Sequence, residues 1–332
     1  MIKIGIDTFG GDAGALNPIL AAISYINENK DDNLYLYLYG DEKQISEEIE
    51  KSLDKKYINN IQIINTNDFI DLNKDVLSEF KRHTTSMSLG MKDLQDDKID
   101  AFISQGSSAA IRIFANFVGR IKGIKECPFG ALVPTMNKNT LLLDSGANVD
   151  IRPEDLQQFA LLGSVYMKTL YNIQNPSVAL LNNGLEEEKG NKQTKQAYQL
   201  LKNDKRINFY GNLEFRDFPK GLVDIVVCDG FVGNCILKTY EGTSKELIKL
   251  LKSIFLKNIK TMIAALLIKN ELKEILKNYS TENFGGAPIL GCKKVIIKCH
   301  GNSKEKELYN AINQAKDYIE KDITGKIIST YN

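Results

Sequence analysis

The residues of this chain that are best suited to chemistry lie in short loops that directly follow apolar, β-branched runs. The richest of these loops runs from Asp229 to Asn234, after the run that ends at Cys228, and it includes Gly230 and Gly233. Glycines let the backbone approach a ligand closely, and the carboxamide of an asparagine can both donate and accept a hydrogen bond. This combination favours binding or catalysis over a turn with a purely structural role.

A second loop, Glu186–Asn191, contains three consecutive glutamates followed by Lys189, Gly190 and Asn191. A run of glutamates usually lies on a solvated surface. A lysine on a glycine-containing loop could instead present its ammonium group to a phosphate, because a cation forms strong charge-assisted hydrogen bonds with phosphate oxygens. The residue types by themselves leave both interpretations open.

Two further loops follow apolar runs in the first third of the chain. The loop Asp7–Asp12 contains Gly10 and Gly11, and a structural turn is about as well supported there as a ligand-binding loop. The loop Ser104–Ser108 places Ser107 and Ser108 at an expected helix start. Either serine could cap that helix, or contact a phosphate or carbonyl oxygen.

The remaining polar loops carry weaker signals. In the segment Asp144–Asn148 the aspartate can simply hold a turn, and Asn148 is a candidate hydrogen-bonding group. His300, one of only two histidines, lies in the glycine-containing segment Lys298–Ser303. A single histidine is more often a hydrogen-bonded structural group than a catalyst.

Composition and motifs argue against several classes of protein. The 332 residues include 43 basic and 42 acidic ones, so no global charge favours nucleic acid or an anionic membrane. Five cysteines without a C-x-x-C pair and two histidines give little basis for a metal site and fit a reduced, cytoplasmic protein. Neither a P-loop, a G-x-G-x-x-G turn nor a G-x-S-x-G elbow is present, and no long apolar stretch indicates a membrane span.

The loops are positioned by short apolar runs that alternate with amphipathic helical patterns. This alternation predicts an α/β fold with a mostly parallel sheet, in which the ends of strands converge on a ligand. We treat residues 1–332 as one domain. The predicted strands are Lys3–Ile6, Leu34–Tyr39, Ile61–Ile64, Ala101–Ser104, Leu141–Asp144, Ser177–Asn182, Ile207–Tyr210, Ile225–Cys228 and Lys294–Lys298.

Residues from about 240 to 278 follow a different pattern, with leucines and isoleucines at helical spacing and lysines between them. This pattern predicts a helical hairpin. Its middle, Ile259–Ile268, is unusually apolar and is flanked by Lys257, Lys260 and Lys269. Packing in the core or against a second copy is one interpretation, and contact of an amphipathic tip with a membrane surface is the other.

Seven segments, taken in order, resemble the motif series of the PlsX family of bacterial phosphate acyltransferases, and they extend from Ile4 to about Ser303. They are DTFGGD, LLDSGAN, ALLNNGLEEEKGN, GNLEFRD, VVCDGFVGNCILKTYEG, FGGAPILG and KCHGNS. The resemblance implies a Rossmann-like three-layer α/β/α sandwich, related to the phosphotransacetylases and isopropylmalate dehydrogenases, that acts as a homodimer.

The resemblance also implies a reaction. A fatty acyl group passes from acyl carrier protein to inorganic phosphate, and the acyl phosphate feeds phospholipid synthesis. Phosphate then has to be positioned beside a thioester carbonyl, and the developing oxyanion needs preorganised hydrogen-bond donors. A thiolate leaves readily, so we expect no cofactor, metal or covalent enzyme intermediate. The resemblance further implies peripheral contact with membranes through the helical hairpin.

Residue roles follow from the same resemblance. Lys189 is expected to be the main cation for phosphate or oxyanion, with Asp229 and Asn234 orienting and polarising the acyl centre. Further substrate contacts are expected from a set of loop residues that share these motifs. They are Gly10, Gly11, Asp12, Ser107, Ser108, Asn148, Gly190, Asn191, Gly230, Gly233 and His300.

Some positions depart from the family's pattern, chiefly in the segment Ser104–Ala110, which includes the altered loop Gln105–Ser108 and in which an amide and a glycine are replaced. The opening loop after Asp7 is altered, and a polar Asn183 stands where an apolar residue is usual. Two alternatives therefore stay open. One is a relative that forms acyl phosphates with short chains. The other is a non-catalytic paralogue that binds acyl carrier protein or a membrane.

Overall fold

A computed structural model of the chain describes residues 1–11, 14–31, 33–71, 74–279 and 283–331, with the side chains of all of these except 76–77 and 275–278. The described elements alternate between strands and helices along most of the chain. The strands are β1 (Ile2–Asp7), β2 (Leu34–Gly40), β3 (Ile61–Asn65), β4 (Ala101–Ser104), β5 (Gly130–Pro134), β6 (Asn139–Leu143), β7 (Ser177–Asn182), β8 (Asn208–Glu214), β9 (Ile225–Val227), β10 (Ala287–Pro288) and β11 (Val295–Lys298).

The helices connect these strands and cover the sheets. They are α1 (Leu16–Asn29), α2 (Glu42–Ser52), α3 (Val76–Phe80), α4 (Ser86–Gln95), α5 (Ser108–Val118), α6 (Pro153–Leu170), α7 (Lys192–Asn203), α8 (Gly230–Phe255), α9 (Ile259–Leu267), α10 (Lys269–Asn278), α11 (Glu305–Glu320) and α12 (Ile323–Tyr331).

The strands form two sheets. The first has the order β10-β11-β4-β1-β2-β3 and the second the order β5-β6-β9-β7-β8. Within each sheet the strands run parallel except at one edge, where β10 and β5 are antiparallel to their neighbours. An isolated antiparallel bridge pairs Phe129, just before β5, with Ile289, just after β10. The predicted α/β class with mostly parallel pairing is confirmed.

All nine strands predicted from the sequence are present, although β8 continues to Glu214, beyond the predicted end at Tyr210. The strands β5 and β10 were not predicted. Each contains a proline. Strand β10 has only two residues, and its glycine-rich surroundings are typical of a loop. These two are the antiparallel edge strands, the position in a sheet where proline is tolerated.

Both faces of the central strands are covered. Every residue of β4 and β9 is buried, although successive side chains of a strand point to opposite faces. Helices must therefore lie on both sides of each sheet, as in other parallel α/β proteins. Helix α6 packs closely on the second sheet at Gly163, where a Cβ atom would lie 2.6 Å from the Cδ1 atom of Leu143.

The predicted hairpin consists of three helices. The 26-residue α8 is followed by two short helices, α9 and α10. Large apolar side chains on α9 are exposed, including Ile259 at 76%, Leu266 at 70% and Leu267 at 76%. Within the described residues, none of the helices combines the length and the apolar character that a membrane crossing needs.

Candidate active site

A cavity of about 250 Å³ lies where loops and helices from the two sheets meet. The first sheet contributes Ser108 at the start of α5 and the loop after β11 that carries His300. The second sheet contributes Ser145 and Gly146, which follow β6, and Asn234 in the first turns of α8. Three predicted site residues, Ser108, Asn234 and His300, are therefore brought together from distant parts of the chain.

The loop after β6 is organised by the buried carboxylate of Asp144, which accepts five hydrogen bonds. Its donors are the backbone N–H groups of Phe129, Gly146, Ala147 and Asn148 and the side-chain Nδ2 of Asn148, at 2.7–3.1 Å. Burial raises the pKa of Asp144 to about 6, although these hydrogen bonds lower it. At neutral pH the ionised carboxylate therefore fixes the loop.

Asn148 connects this loop to the start of α8. Its Nδ2 donates to Asp144 and to the carbonyl oxygen of Cys127, and its own carbonyl oxygen accepts from the N–H of Gly230 at 2.7 Å. The side chain is 2% exposed and does not line the cavity. In this structure Asn148 holds the loop together, and its contact with substrate stays a prediction.

Glycines allow α8 to begin directly against this loop. A Cβ atom on Gly233 would lie 1.9 Å from the carbonyl oxygen of Asp144, and one on Gly230 would lie 2.8 Å from the backbone of Asn148. Both distances are far inside van der Waals contact. Close helix–loop packing thus accounts for Gly230 and Gly233, and it sets the position of Asn234 beside Gly146.

Asp229 caps α8, because its Oδ1 accepts a hydrogen bond from the N–H of Val232 at 2.8 Å. The side chain is half-buried, and burial raises its pKa. A capping aspartate accepts a hydrogen bond from an N–H group that would otherwise lack a partner. Its negative charge also interacts favourably with the positive end of the helix dipole. Asp229 does not line the cavity, so its observed contact is with the helix that carries Asn234.

Lys189 lies on the loop after β7, outside the lining of the cavity. Its aliphatic stem passes close to Gly184, and its carbonyl oxygen accepts from the Nδ2 of Asn182 at 3.2 Å. The side chain is exposed. Gly190 has a φ of +92°, and Asn191 caps α7 by accepting from the N–H of Thr194 at 2.9 Å. The loop is therefore locally ordered, with its lysine facing solvent.

A second cavity of about 230 Å³ lies at the carboxyl end of β1, and it includes the predicted residues Gly10, Gly11 and Ser107. It sits between β4 and β1, where the strand order of the first sheet reverses, which is the usual ligand crevice of such sheets. Ser107 caps α5 through Ala110. The predicted contact residue Asp12 lies outside the described residues.

Asp7 in this second cavity is buried and pairs with hydroxyl groups. Its carboxylate accepts from the Oγ atoms of Ser86 and Ser104, both at 2.7 Å, and from the N–H of Phe9 at 3.1 Å. Burial raises its pKa. Like Asp144 in the second sheet, Asp7 orders the loop that follows its strand.

Gln105, which belongs to the loop that departs from the family's pattern, joins two loops of the first sheet. Its Nε2 donates to the carbonyl oxygens of His300 at 3.2 Å and of Ser303 at 3.0 Å. The side chain is 2% exposed. The substituted residue therefore has a structural role, because it ties the loop after β4 to the loop that carries His300.

Lys238, Glu241, Lys298 and Ser145 also line the cavity and were not predicted as site residues. The Nε2 of His300 lies 3.5 Å from the Oε1 of Glu241. Lys238 and Glu241 follow Asn234 by four and seven residues, so the helix α8, which begins before the predicted hairpin, places all three on one face. Lys298 required knowledge of how the two sheets meet.

Comparison with known proteins gives a consistent result along the chain. Residues 2–326 match the model of a family described as "Fatty acid synthesis protein". A curated "Phosphate acyltransferase" of Thermoanaerobacterium thermosaccharolyticum is 40% identical over 98% of this chain and 96% of its own length. The protein of the same name from Clostridium tetani is 37% identical over 98% of this chain and 97% of its own length.

The fold is shared with a solved phosphotransacetylase from Streptococcus pyogenes, with a TM-score of 0.61 and 15% sequence identity. That match covers 96% of this chain and 94% of the other. It confirms the predicted Rossmann-like α/β architecture, and at this identity it bears on the fold alone.

The packing of α8 against the Asp144 loop predicts the effect of two matched substitutions. Gly233→Ala should lower the free energy of unfolding by roughly 1–3 kcal/mol, because the new methyl group meets a backbone carbonyl. Gly242→Ala, on the same helix with open space around it, should raise it by up to about 1 kcal/mol through helix propensity. Urea unfolding followed by circular dichroism measures both. Equal changes in the free energy of unfolding for the two substitutions would contradict the close contact between Gly233 and the carbonyl oxygen of Asp144.

Proposed function

The chain belongs to the phosphate acyltransferase family, and we propose that it transfers a fatty acyl group from acyl carrier protein to inorganic phosphate. The product would be an acyl phosphate that supplies phospholipid synthesis. The observation that carries the proposal is the cavity between the two sheets, which is lined by Asn234, Ser108 and His300. The similarity to curated phosphate acyltransferases over nearly the whole chain supports the reaction type.

In this reaction a phosphate oxygen attacks the carbonyl carbon of the thioester. A carbon–oxygen bond forms, the carbon–sulfur bond breaks, and the thiolate of the carrier's prosthetic arm leaves with the electron pair and takes up a proton from solvent. Rate acceleration comes from holding the two reactants together and from stabilising the oxyanion of the tetrahedral intermediate. Each demand needs polar groups at fixed positions, which capped helices and short loops provide.

We assign Asn234 to the acyl centre, where its Nδ2 donates to the developing oxyanion. Asp229 orients Asn234 by capping the helix that carries it. Lys189 supplies positive charge for the oxyanion or the phosphate from the loop after β7. We propose that the other predicted site residues also contact the substrates. They are Gly10, Gly11, Asp12, Ser107, Ser108, Asn148, Gly190, Asn191, Gly230, Gly233 and His300.

A short-chain acyl donor is the second candidate, favoured by the modest volume of the cavity, about 250 Å³. A phosphate ion and the carbonyl end of a thioester occupy part of such a space, and a long chain has to extend beyond it. The proposal of a fatty acyl donor therefore requires that the chain leave the cavity along an apolar surface. Acetyl and palmitoyl donors distinguish the two cases.

The function is tested by incubating the pure protein with palmitoyl- or acetyl-acyl carrier protein and phosphate, and by trapping acyl phosphate as a hydroxamate. We expect palmitoyl hydroxamate to form faster with enzyme and phosphate than in the phosphate-free control, in which hydroxylamine attacks the thioester directly. Asn234→Ala should lower kcat by about 10²–10³-fold, the usual effect of losing one oxyanion donor, and Lys189→Ala by on the order of 10²-fold.

Lys192→Ala, an exposed lysine three residues from Lys189, is the matched control and should keep wild-type turnover. A higher turnover with the acetyl donor than with the palmitoyl donor would identify the protein as a short-chain acyltransferase. If the wild-type protein gives no phosphate-dependent hydroxamate with either donor yet binds acyl carrier protein, the chain is a non-catalytic paralogue.

We further propose that the chain forms a homodimer through the apolar face of α8. Leu247, Leu251 and Ile254 recur at helical spacing and are 56%, 40% and 47% exposed. Contiguous exposed apolar surface of this kind is typical of a protein interface. A second copy would bury it by antiparallel or parallel helix packing, as in a four-helix arrangement.

Sedimentation velocity tests the dimer. The double substitution Leu247→Lys and Leu251→Lys should convert a dimer to a monomer, because two charges would be buried at the interface without partners. Leu222→Lys introduces the same charge at another exposed leucine, outside α8–α10, and should leave the dimer intact. A wild-type monomer at micromolar concentration would be incompatible with this assembly.

We also propose that α9 contacts membranes peripherally. Its exposed Leu266 and Leu267 can insert into the interface, while Lys257, Lys260 and Lys269 attract anionic headgroups. Replacing both leucines with serine should reduce partition onto phosphatidylglycerol vesicles by roughly tenfold or more, measured by flotation. Leu222→Ser is the control. Unchanged flotation of the double variant would exclude insertion by these leucines.

A further inference from the structure

Positive charge inside the cavity comes from residues other than Lys189. Lys238 on α8 and Lys298 at the end of β11 both line it, whereas Lys189 does not. We propose that Lys238 is the residue that binds the phosphate substrate in this cavity. The inference rests on the proposed function, and it assigns the site of one of its two substrates.

Lys238 is placed by the same helix that places Asn234. The two residues are one helical turn apart on α8, and both line the cavity together with Glu241. Side chains four residues apart on a helix have Cβ atoms about 5–6 Å apart. A phosphate held by the ammonium group of Lys238 would therefore lie next to an acyl carbonyl that is polarised by Asn234. This is the geometry that an attack by a phosphate oxygen needs.

The ammonium group of Lys238 is available to a ligand. In the described part of the chain it forms no hydrogen bond or ion pair, and the nearby carboxylate of Glu241 lies 3.5 Å from His300 instead. Lys298, by contrast, already donates to the carbonyl oxygen of Cys299. An unpaired cation on a cavity wall can bind an anion without first breaking an existing ion pair.

The charged residues that line the two cavities also favour the first cavity over the second as the phosphate site. The first cavity has two lysines, Lys238 and Lys298, and two glutamates, Glu241 and Glu307. The second has two acidic residues, Asp7 and Asp71, and no lysine, arginine or histidine among its described lining residues. Like charges repel at these short distances, so the first cavity is a more favourable phosphate site than the second.

This assignment separates the roles of the two lysines. Lys238 binds the nucleophile on the α8 side of the cavity. Lys189, on the loop after β7, is then left to stabilise the oxyanion or the departing thiolate once substrate is bound. A phosphate-binding lysine affects the dependence of the rate on phosphate, whereas an oxyanion-stabilising lysine affects the maximal rate.

Steady-state kinetics with palmitoyl-acyl carrier protein and phosphate provide the test, using Lys238→Ala, Lys238→Arg and Lys245→Ala. Lys238→Ala should raise the KM for phosphate at least tenfold and leave the KM for the acyl donor within twofold. Lys238→Arg, which keeps the charge, should restore most of the phosphate affinity. Lys245 lies two turns further along nearly the same face of α8 and outside the cavity lining, so Lys245→Ala should match wild type.

Equilibrium binding separates failure of this inference from failure of the proposed reaction. Line broadening of inorganic phosphate in phosphorus NMR reports weak binding without turnover. Broadening that is lost in Lys238→Ala and kept in Lys245→Ala would support the phosphate site even if the wild-type protein formed no acyl phosphate. The inference is overturned if Lys238→Ala, folded by circular dichroism, keeps wild-type broadening and phosphate KM, or if only Lys189→Ala raises that KM.

Discussion

The cavity depends on the buried carboxylate of Asp144. Its two oxygens accept five hydrogen bonds, which hold the backbone from Gly146 to Asn148 against the end of β6. Burying an ionised acid costs free energy that only such hydrogen bonds offset. Asn148 then binds the N–H of Gly230, and Gly233 lies against the carbonyl of Asp144. One carboxylate thereby sets where α8 begins and which side chains of its first turns face the cavity.

Both sheets contribute residues to the site. The first sheet contributes the start of α5 and the loop of His300, and Gln105 holds these two loops together. The second sheet contributes the Asp144 loop and α8. The antiparallel edge strands β5 and β10 bring the sheets next to one another through the bridge between Phe129 and Ile289. The cavity at this junction is lined by polar groups from both sheets, which suits a reaction between two substrates.

Helix α8 connects the cavity to the exposed helical segment. At 26 residues it is about 39 Å long. Its first turns carry Asn234 and Lys238, and its far end carries the exposed leucines that we assign to a second copy. Because an α-helix is stiff over this length, the site and the proposed interface belong to one rigid element. The apolar α9 extends from the same end.

The sequence by itself determined the class of fold, nine of the strands, the apolar helical segment from about residue 240 to 278 and the family. These conclusions follow from local periodicity, from turn residues and from the order of motifs, all of which can be identified in the sequence without knowledge of the fold. It also identified Asn234 and His300 as candidates. It did not predict β5 and β10, whose prolines and shortness remove the periodic signal.

Only the tertiary structure decided which candidates meet. It placed Asn234, Ser108 and His300 around one cavity, left Lys189 on an exposed loop, and brought in Lys238 and Lys298. It also gave Asn148, Gly230 and Gly233 a structural explanation, through hydrogen bonds and contacts between residues up to about ninety positions apart. The physical reason is that cavity walls, electrostatics and burial depend on distances across the fold, whereas a sequence pattern reports only the spacing along one element.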